Sequence, residues 1–360
     1  MALISKKIKV VDLFCGIGWI TRWFVDEGFK VIAGIDFVES CRYWYEKNNN
    51  WAQFIHKDIR DFSGEELSNL YKEDCDIKIL IWCAPCQPFS WINTNKVDYF
   101  FNSEKANTRS PLDKFANLIE MTQPHIVSME NVANLANTKK YPAFKNFLDI
   151  LAKNWYETDY KIIDTSTYWI PQKRKRLVLL ASKLGKIKLI DPTHKNPITL
   201  REAIWHLPSI WIGEIHPSDP YHRAQEMSNL NKERIKYIPK NWWNLKWAPD
   251  YLIPECHKKA SWKTYSSSVY ARMKWDEPSP TLTTQCLWIW NWRYWHPEQD
   301  RAISLREAAM IQTFPQDYEF VEDTSNYCLQ KVVKYIGNAV PVKLWQVIAK
   351  SIKNHIEALP

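Results

Sequence analysis

Residues 8–13 (IKVVDL) form an apolar, β-branched run that stops at the turn FCGIG, and a helix-like stretch follows through Glu27. Strand, glycine turn, helix is the opening of a βαβ unit. The next run, Lys30 to Ile35, ends at Asp36, and 18 residues separate Gly18 from that acid. An acid about this far past a glycine turn commonly holds ribose hydroxyls in nucleotide-binding units. Another short stretch ends at Asp58-Ile59. The buried run Ile77–Trp82 leads into Ala84-Pro85-Cys86, and His125–Met129 ends at Glu130-Asn131. Ligands of open α/β sheets bind beyond the carboxyl ends of the strands, so Asp36, Cys86 and Glu130 are expected to converge.

Arg176–Ala181 predicts a fifth strand. Beyond about residue 186 the pattern turns to proline-punctuated, aromatic and basic loop, with little periodicity up to about residue 300. A catalytic and cofactor-binding domain is therefore expected over 1–186, completed by 326–360, with a separate recognition domain over 187–325. Helical spacing returns at Leu305–Gln312 and after Pro341 (VKLWQVIAKSIKNHI), where the last helix is expected to pack back on the first domain. The tetrapeptide LREA occurs at 200–203 and 305–308, too short a recurrence to mark a repeat.

The 360 residues are 46% hydrophobic and 24% charged, ordinary values for a globular chain. No apolar run approaches the roughly 18 residues needed to span a bilayer, and lysines interrupt the N-terminal stretch too early for a signal peptide. A cytoplasmic protein without membrane contact is expected. The net charge of +8 favours an anionic partner, nucleic acid first. Of the eight cysteines only Cys83 and Cys86 are close in sequence, and none fits a zinc pattern, so free thiols and no metal are expected. The segment W-C-A-P-C could be a redox pair. The chain is far longer than that small fold needs, however, and the following Gln87-Pro88-Phe89-Ser90 has no redox role.

Six segments occur in order: DLFCGIG at 12–18, PCQPFS at 85–90, ENV at 130–132, QKRKR at 172–176, REAAMIQTFP at 306–315 and GNAVP at 337–341. In content, order and spacing the chain resembles the bacterial DNA (cytosine-5-)-methyltransferase family over essentially its whole length. The resemblance implies a Rossmann-like S-adenosylmethionine-dependent methyltransferase sheet with a smaller, loop-rich target-recognition domain. It makes Cys86 the nucleophile: carbon 5 of cytosine is a poor nucleophile until a thiolate adds to carbon 6. It places Glu130 on ring nitrogen 3, with Arg174 and Arg176 bracing the glutamate and the cytosine carbonyl. On an extended strand Gln172, Arg174 and Arg176 share one face, opposite Lys173 and Lys175.

For the cofactor, the resemblance has Phe14 stack on adenine and Gly16 and Gly18 admit the methionine portion. Asp36 takes the ribose, Asp58 and Ile59 meet the adenine edge, and Pro85, Asn338 and Val340 complete the pocket. Gln87, Ser90 and Gln172 are expected at the DNA, with Gln87 and Ser90 on a loop closing over a flipped base. Sequence readout is expected from 187–325, where Arg223, Arg234 and Arg272 are candidates. The expected assembly is a monomer on double-stranded DNA, with a cognate restriction endonuclease as a further candidate partner. Two other readings stay open: an RNA cytosine-5 methyltransferase acting on tRNA, and a DNA-binding relative impaired in cofactor binding.

That last reading stems from composition. The chain has 20 Trp and 8 Gly, whereas glycine makes up about 7% of a typical globular chain. Tryptophans stand in turn-like stretches such as Trp242-Trp243 and W-I-W-N-W-R at 288–293. Trp19, Trp91, Trp169, Trp288, Trp290 and Trp292 fall where members of the family have glycine. The hypothesis is a UGA codon that the source reads as glycine, translated here as tryptophan.

Overall fold

The computed structural model describes residues 6–50, 52–72, 74–83, 111–241, 248–254, 271–287 and 293–359. Cα packing divides the chain into two compact units. The first comprises residues 1–164, 175–191 and 345–360, the second 165–174 and 192–344.

The first unit is built on seven strands: β1 (Ile8–Leu13), β2 (Lys30–Asp36), β3 (Gln53–His56), β4 (Ile77–Trp82), β5 (Ile126–Val132), β6 (Glu157–Asp164) and β7 (Lys175–Ser182). Their order is β3-β2-β1-β4-β5-β7-β6. Strands β1 to β5 run parallel, while β7 is antiparallel to both β5 and β6. Central strands covered on both faces read as near-continuous apolar runs, which is why β1, β4 and β7 were legible in the sequence. Edge strand β6 (ETDYKIID) was not foreseen, because it is half exposed and its polar residues mask it.

Helices α1 (Trp19–Asp26), α2 (Arg42–Asn48), α3 (Gly64–Tyr71), α4 (Pro111–Thr122) and α5 (Pro142–Lys153) belong to this unit. Leu67, Phe115, Leu118, Phe144 and Phe147 pack in one core with Leu13, Leu80, Trp82, Val127 and Leu179 of the sheet. Each such side chain, fully buried, contributes roughly 1.5–3 kcal/mol. The strand order reverses between β1 and β4, so the ends of those strands and of their neighbours frame the ligand-binding edge of such a sheet.

The second unit contains α6 (Leu200–Ile204), the ribbon β8 (Ile215–His216) and β9 (Asp219–Arg223), α7 (Asn229–Lys236), α8 (Leu305–Ile311) and α9 (Leu329–Asn338). Met227, Ile235, Ile238, Leu252 and Trp295 form a small core of its own. The last helix, α10 (Val342–Glu357), packs against the first unit through its C-terminal part. There Gln346 Nε2 donates to Glu27 at 2.9 Å, and His355 Nε2 meets Ser182 Oγ at 2.8 Å. Among the described residues no helix is long and apolar enough to cross a membrane.

Candidate active site

Burial with satisfied charge is the organising feature at the carboxyl ends of β4 and β5 and the amino end of the antiparallel β7. Glu130 is only 2% exposed. Arg176 Nε lies 2.9 Å from its Oε1, and the Cys83 thiol donates to its Oε2 at 3.2 Å. A buried carboxylate without such partners would be strongly destabilising. Cys83 follows β4 directly, with its amide on Leu13 O at 3.4 Å. Cys83, three residues before Cys86 in the sequence, thus lies beside Glu130. Pro85, Cys86, Gln87, Ser90 and Trp91 lie outside the described residues.

The basic segment alternates as its sequence suggested: Gln172, Arg174 and Arg176 are buried, Lys173 and Lys175 exposed. Only Lys175 and Arg176 belong to β7. Gln172 bridges to Ser279, and Lys173 N donates to Ser279 O at 2.8 Å. In the second unit Gln172 is wholly buried, its Nε2 donating to Gln312 Oε1 at 2.9 Å. Gln312 Nε2 in turn donates to Ala339 O at 2.8 Å, and Arg174 Nη1 reaches the same carbonyl at 3.0 Å. That network ties Gln172 and Arg174 to the GNAVP segment, where Asn338 is exposed and Val340 buried. Gln312 was missed in the sequence, because its partners lie 140 and 27 residues away.

Beyond β1 the backbone takes left-handed conformations at Phe14 (φ 63°), Gly16 (φ 53°) and Gly18 (φ 92°). The turn is pinned by Phe14 N and Cys15 N on Ile35 O, and by Gly16 N donating to Asp36 Oδ2 at 2.9 Å. Asp36 Oδ1 accepts from Val38 N at 2.9 Å. Burial raises the Asp36 pKa, and these amides partly offset that rise. The next residue, Phe37, is 59% exposed and was not singled out from the sequence. An apolar ring left free beside the acid was its only signal. Phe14 is half-buried, edge-on to Trp82 at 4.7 Å. Asp58 pairs with Arg60 Nη2 at 2.5 Å, which holds its pKa low, and Ile59 is buried. Asp12, fully buried and accepting from Thr21 Oγ1 at 2.8 Å, has its pKa pushed up to about 8 by burial.

The backbone of this turn suits a nucleotide-like cofactor, and one side chain narrows the space beside it. A Cβ built on Gly16 would meet the six-membered ring of Trp19 at 3.1 and 3.2 Å, so the indole fills the open side of the glycine turn. Its Nε1 is buried without a hydrogen bond. The indole therefore takes up space on the side of the turn that the resemblance gives to the methionine portion of S-adenosylmethionine.

Residues 8–354 match the family of C-5 cytosine-specific DNA methylases. The chain belongs to that family. It is 44% identical over 353 residues to the type II methylase M.HgiDII of Herpetosiphon aurantiacus, covering 97% of this chain and 96% of that protein. It is 30% identical to the type II methyltransferase M1.BsuMI of Bacillus subtilis, over 96% of this chain and 81% of that protein. A crystal structure of a prophage-encoded DNA modification methyltransferase (E. coli) matches the fold with a TM-score of 0.69 at 19% identity, covering 98% of this chain and 100% of that one. Spodoptera frugiperda DNMT2 matches with a TM-score of 0.61 at 13% identity, covering 96% and 100% of the two chains. The sheet is thus that of an S-adenosylmethionine-dependent methyltransferase, and the protein is a DNA cytosine-5 methyltransferase.

Two arginines of the second unit illustrate what membership does not reveal. Arg272 is 2% exposed, and all five of its N–H donors are used, on the carbonyls of Ile235, Ile238, His296 and Gln299 and on Asp300. It braces the small core and has no donor left for a base edge. Arg301 and Glu307, each 1% exposed, form a two-pronged pair at 2.8 and 2.7 Å. Burial alone would raise the Glu307 pKa, but the Arg301 guanidinium outweighs it and holds the group at about 2.

Proposed function

We propose that Cys86 is the covalent nucleophile of this methyltransferase and that Glu130, with Arg174 and Arg176, holds the target cytosine. The Glu130–Arg176 pair beside the strand that leads to Cys86 carries the reading. A cytosine inside a duplex is out of reach, so the base is extruded into the site. The Cys86 thiolate adds to carbon 6, and the Glu130 carboxyl shares its proton with nitrogen 3 to take up the charge that addition pushes onto the ring. S-adenosylmethionine supplies the methyl group that carbon 5 receives. Loss of the carbon 5 proton then lets the Cys86–carbon 6 bond break and frees the thiolate. Arg176 holds Glu130 in orientation. Arg174 is assigned to the cytosine carbonyl on the family resemblance.

Phe14, Gly16, Gly18, Asp36, Asp58, Ile59, Pro85, Asn338 and Val340 are the residues proposed for the cofactor. Gln87 and Ser90 are proposed for the closing loop and the DNA. The buried amide of Gln172 supports the segment carrying Arg174. The type II relatives support double-stranded DNA as substrate, a cognate restriction endonuclease as biological partner, and a recognition role for the second unit.

Duplex DNA carrying 5-fluorocytosine at the target tests the mechanism, because fluorine at carbon 5 blocks the last proton loss. The protein is expected to become covalently attached through Cys86, and Cys86→Ala to lose both trapping and turnover. Turnover by Cys86→Ala overturns the covalent role.

A further inference from the structure

We propose that Cys83 is a positioning residue for Glu130, an inference that rests on the catalytic reading of Glu130 above. The two oxygens of this carboxyl have different partners: Arg176 Nε at 2.9 Å on Oε1 and the Cys83 thiol at 3.2 Å on Oε2. A group that must present a proton to a ring nitrogen needs a single orientation, and a second contact on the other oxygen fixes it. A second cation on that oxygen would stabilise the ionised form too strongly for proton sharing, whereas a thiol is a weak donor that orients the carboxyl and favours its ionised form only modestly. Cys83 is itself fixed by its backbone, through its amide on Leu13 O, so the thiol approaches from a rigid strand end.

The test is the pH dependence of kcat/KM for wild type, Cys83→Ala and Cys83→Ser, with Glu130→Gln alongside. A donor to the carboxylate favours its ionised form, so removing it raises the Glu130 pKa and moves the alkaline limb to higher pH. Cys83→Ala is expected to lower the maximal rate several-fold with its alkaline limb shifted upward. Cys83→Ser, a stronger donor, is expected to restore most of the rate with the limb at or below the wild-type position. Rates that fall in both variants with an unmoved limb, or an unaltered Cys83→Ala beside an inactive Glu130→Gln, overturn the role of Cys83 alone. Full activity in Glu130→Gln overturns the reading of Glu130 and Cys83 with it.

A different observation carries a second inference. Helix α5 ends at Lys153 with Asn154 as its C-cap, and the next residue, Trp155, is left-handed (φ 64°) and 87% exposed. Its amide bonds to Ala152 O and that of Tyr156 to Leu151 O, both at 3.1 Å. Helix α1 ends in the same pair of bonds, Gly28 N to Val25 O and Phe29 N to Phe24 O, with Gly28 in the left-handed position. This helix end selects glycine, because a Cβ is strained there. Thr313 holds the equivalent position after α8, but its hydroxyl hydrogen-bonds Gln312 O and Lys343 N, which offsets the strain. An indole 87% in solvent offers no such return. Trp169 is left-handed as well (φ 59°), and Trp19 fills the glycine turn.

The geometry points to glycine at 155, 169 and 19 in the protein as its source makes it, with UGA decoded as glycine. Glycine at 19 removes the indole that packs against the Gly16 turn. Tandem mass spectrometry of peptides from the natively produced protein is expected to read glycine at 155 and 169, and tryptophan at either overturns the inference. In protein made with tryptophan, Trp155→Gly is expected to raise the melting temperature. A lower one removes the structural premise.

Discussion

Single residues in this protein are decided by what burial does to charge. Glu130 and Arg176 offset each other's charge at their depth, so truncating Arg176 to Ala is expected to cost more than activity. It leaves a buried carboxylate short of its cation, a loss on the order of 3–5 kcal/mol, measurable as a fall in the denaturation midpoint. Asp12 is the opposite case, because burial favours its neutral form and raises its pKa to about 8. The folded state therefore holds this proton more tightly than the unfolded chain. Stability from this group is complete below about pH 4 and is lost as pH rises toward about 8. Asp12→Asn keeps an acceptor for Thr21 and cannot ionise, so melting temperatures across pH 5 to 9 are expected to fall less steeply with pH than in wild type. Parallel curves for the two proteins would contradict this.

At the scale of elements, two helix starts carry the same local signature, and the first of them, α6, lies in a stretch expected to be loop. The two LREA tetrapeptides mark no repeat, yet both open helices with the same capping box: Thr199 with Glu202 before α6, and Ser304 with Glu307 before α8. Such boxes satisfy two otherwise orphaned amides with side chains three residues apart, which a sequence displays directly. Ser304 also meets His222 Nδ1 at 2.8 Å within the second unit. Ser304→Ala is accordingly expected to lower stability by about 1 kcal/mol for the cap, and by more for the buried His222 Nδ1 it leaves without that partner. Urea denaturation of the two proteins measures the difference. The edge strand β6 escaped notice for the converse reason: an edge strand needs no continuous apolar run, and its pairing with β7 is a tertiary event.

For the whole molecule, charge and substrate belong together. A chain of net charge +8 acting on duplex DNA releases counterions when it binds, so its affinity is expected to fall steeply with salt. If about six phosphates are contacted, the loss between 50 and 200 mM salt is on the order of 10³-fold, and a flat salt dependence would argue against backbone-driven binding. That electrostatic term sets affinity and register, while base-edge contacts set the site. Arg272 shows why net charge does not identify those contacts, since its donors are all spent inside the protein.

Local chemistry was legible in the sequence alone: the parallel apolar strands, the glycine turn, the ordered motifs and the alternation of Gln172, Arg174 and Arg176. Each of these is imposed by neighbours a few residues apart, through backbone period or through a reaction's demand for certain side chains. Tertiary structure decided the partners: Cys83 and Arg176 on the two oxygens of Glu130, Gln312 beside Gln172, β7 antiparallel beside β5, and the Trp19 indole against the glycine turn. Such pairings depend on which strands lie side by side. Strand adjacency is chosen by the burial of the whole core, a sum over residues far apart in the chain that no local pattern encodes.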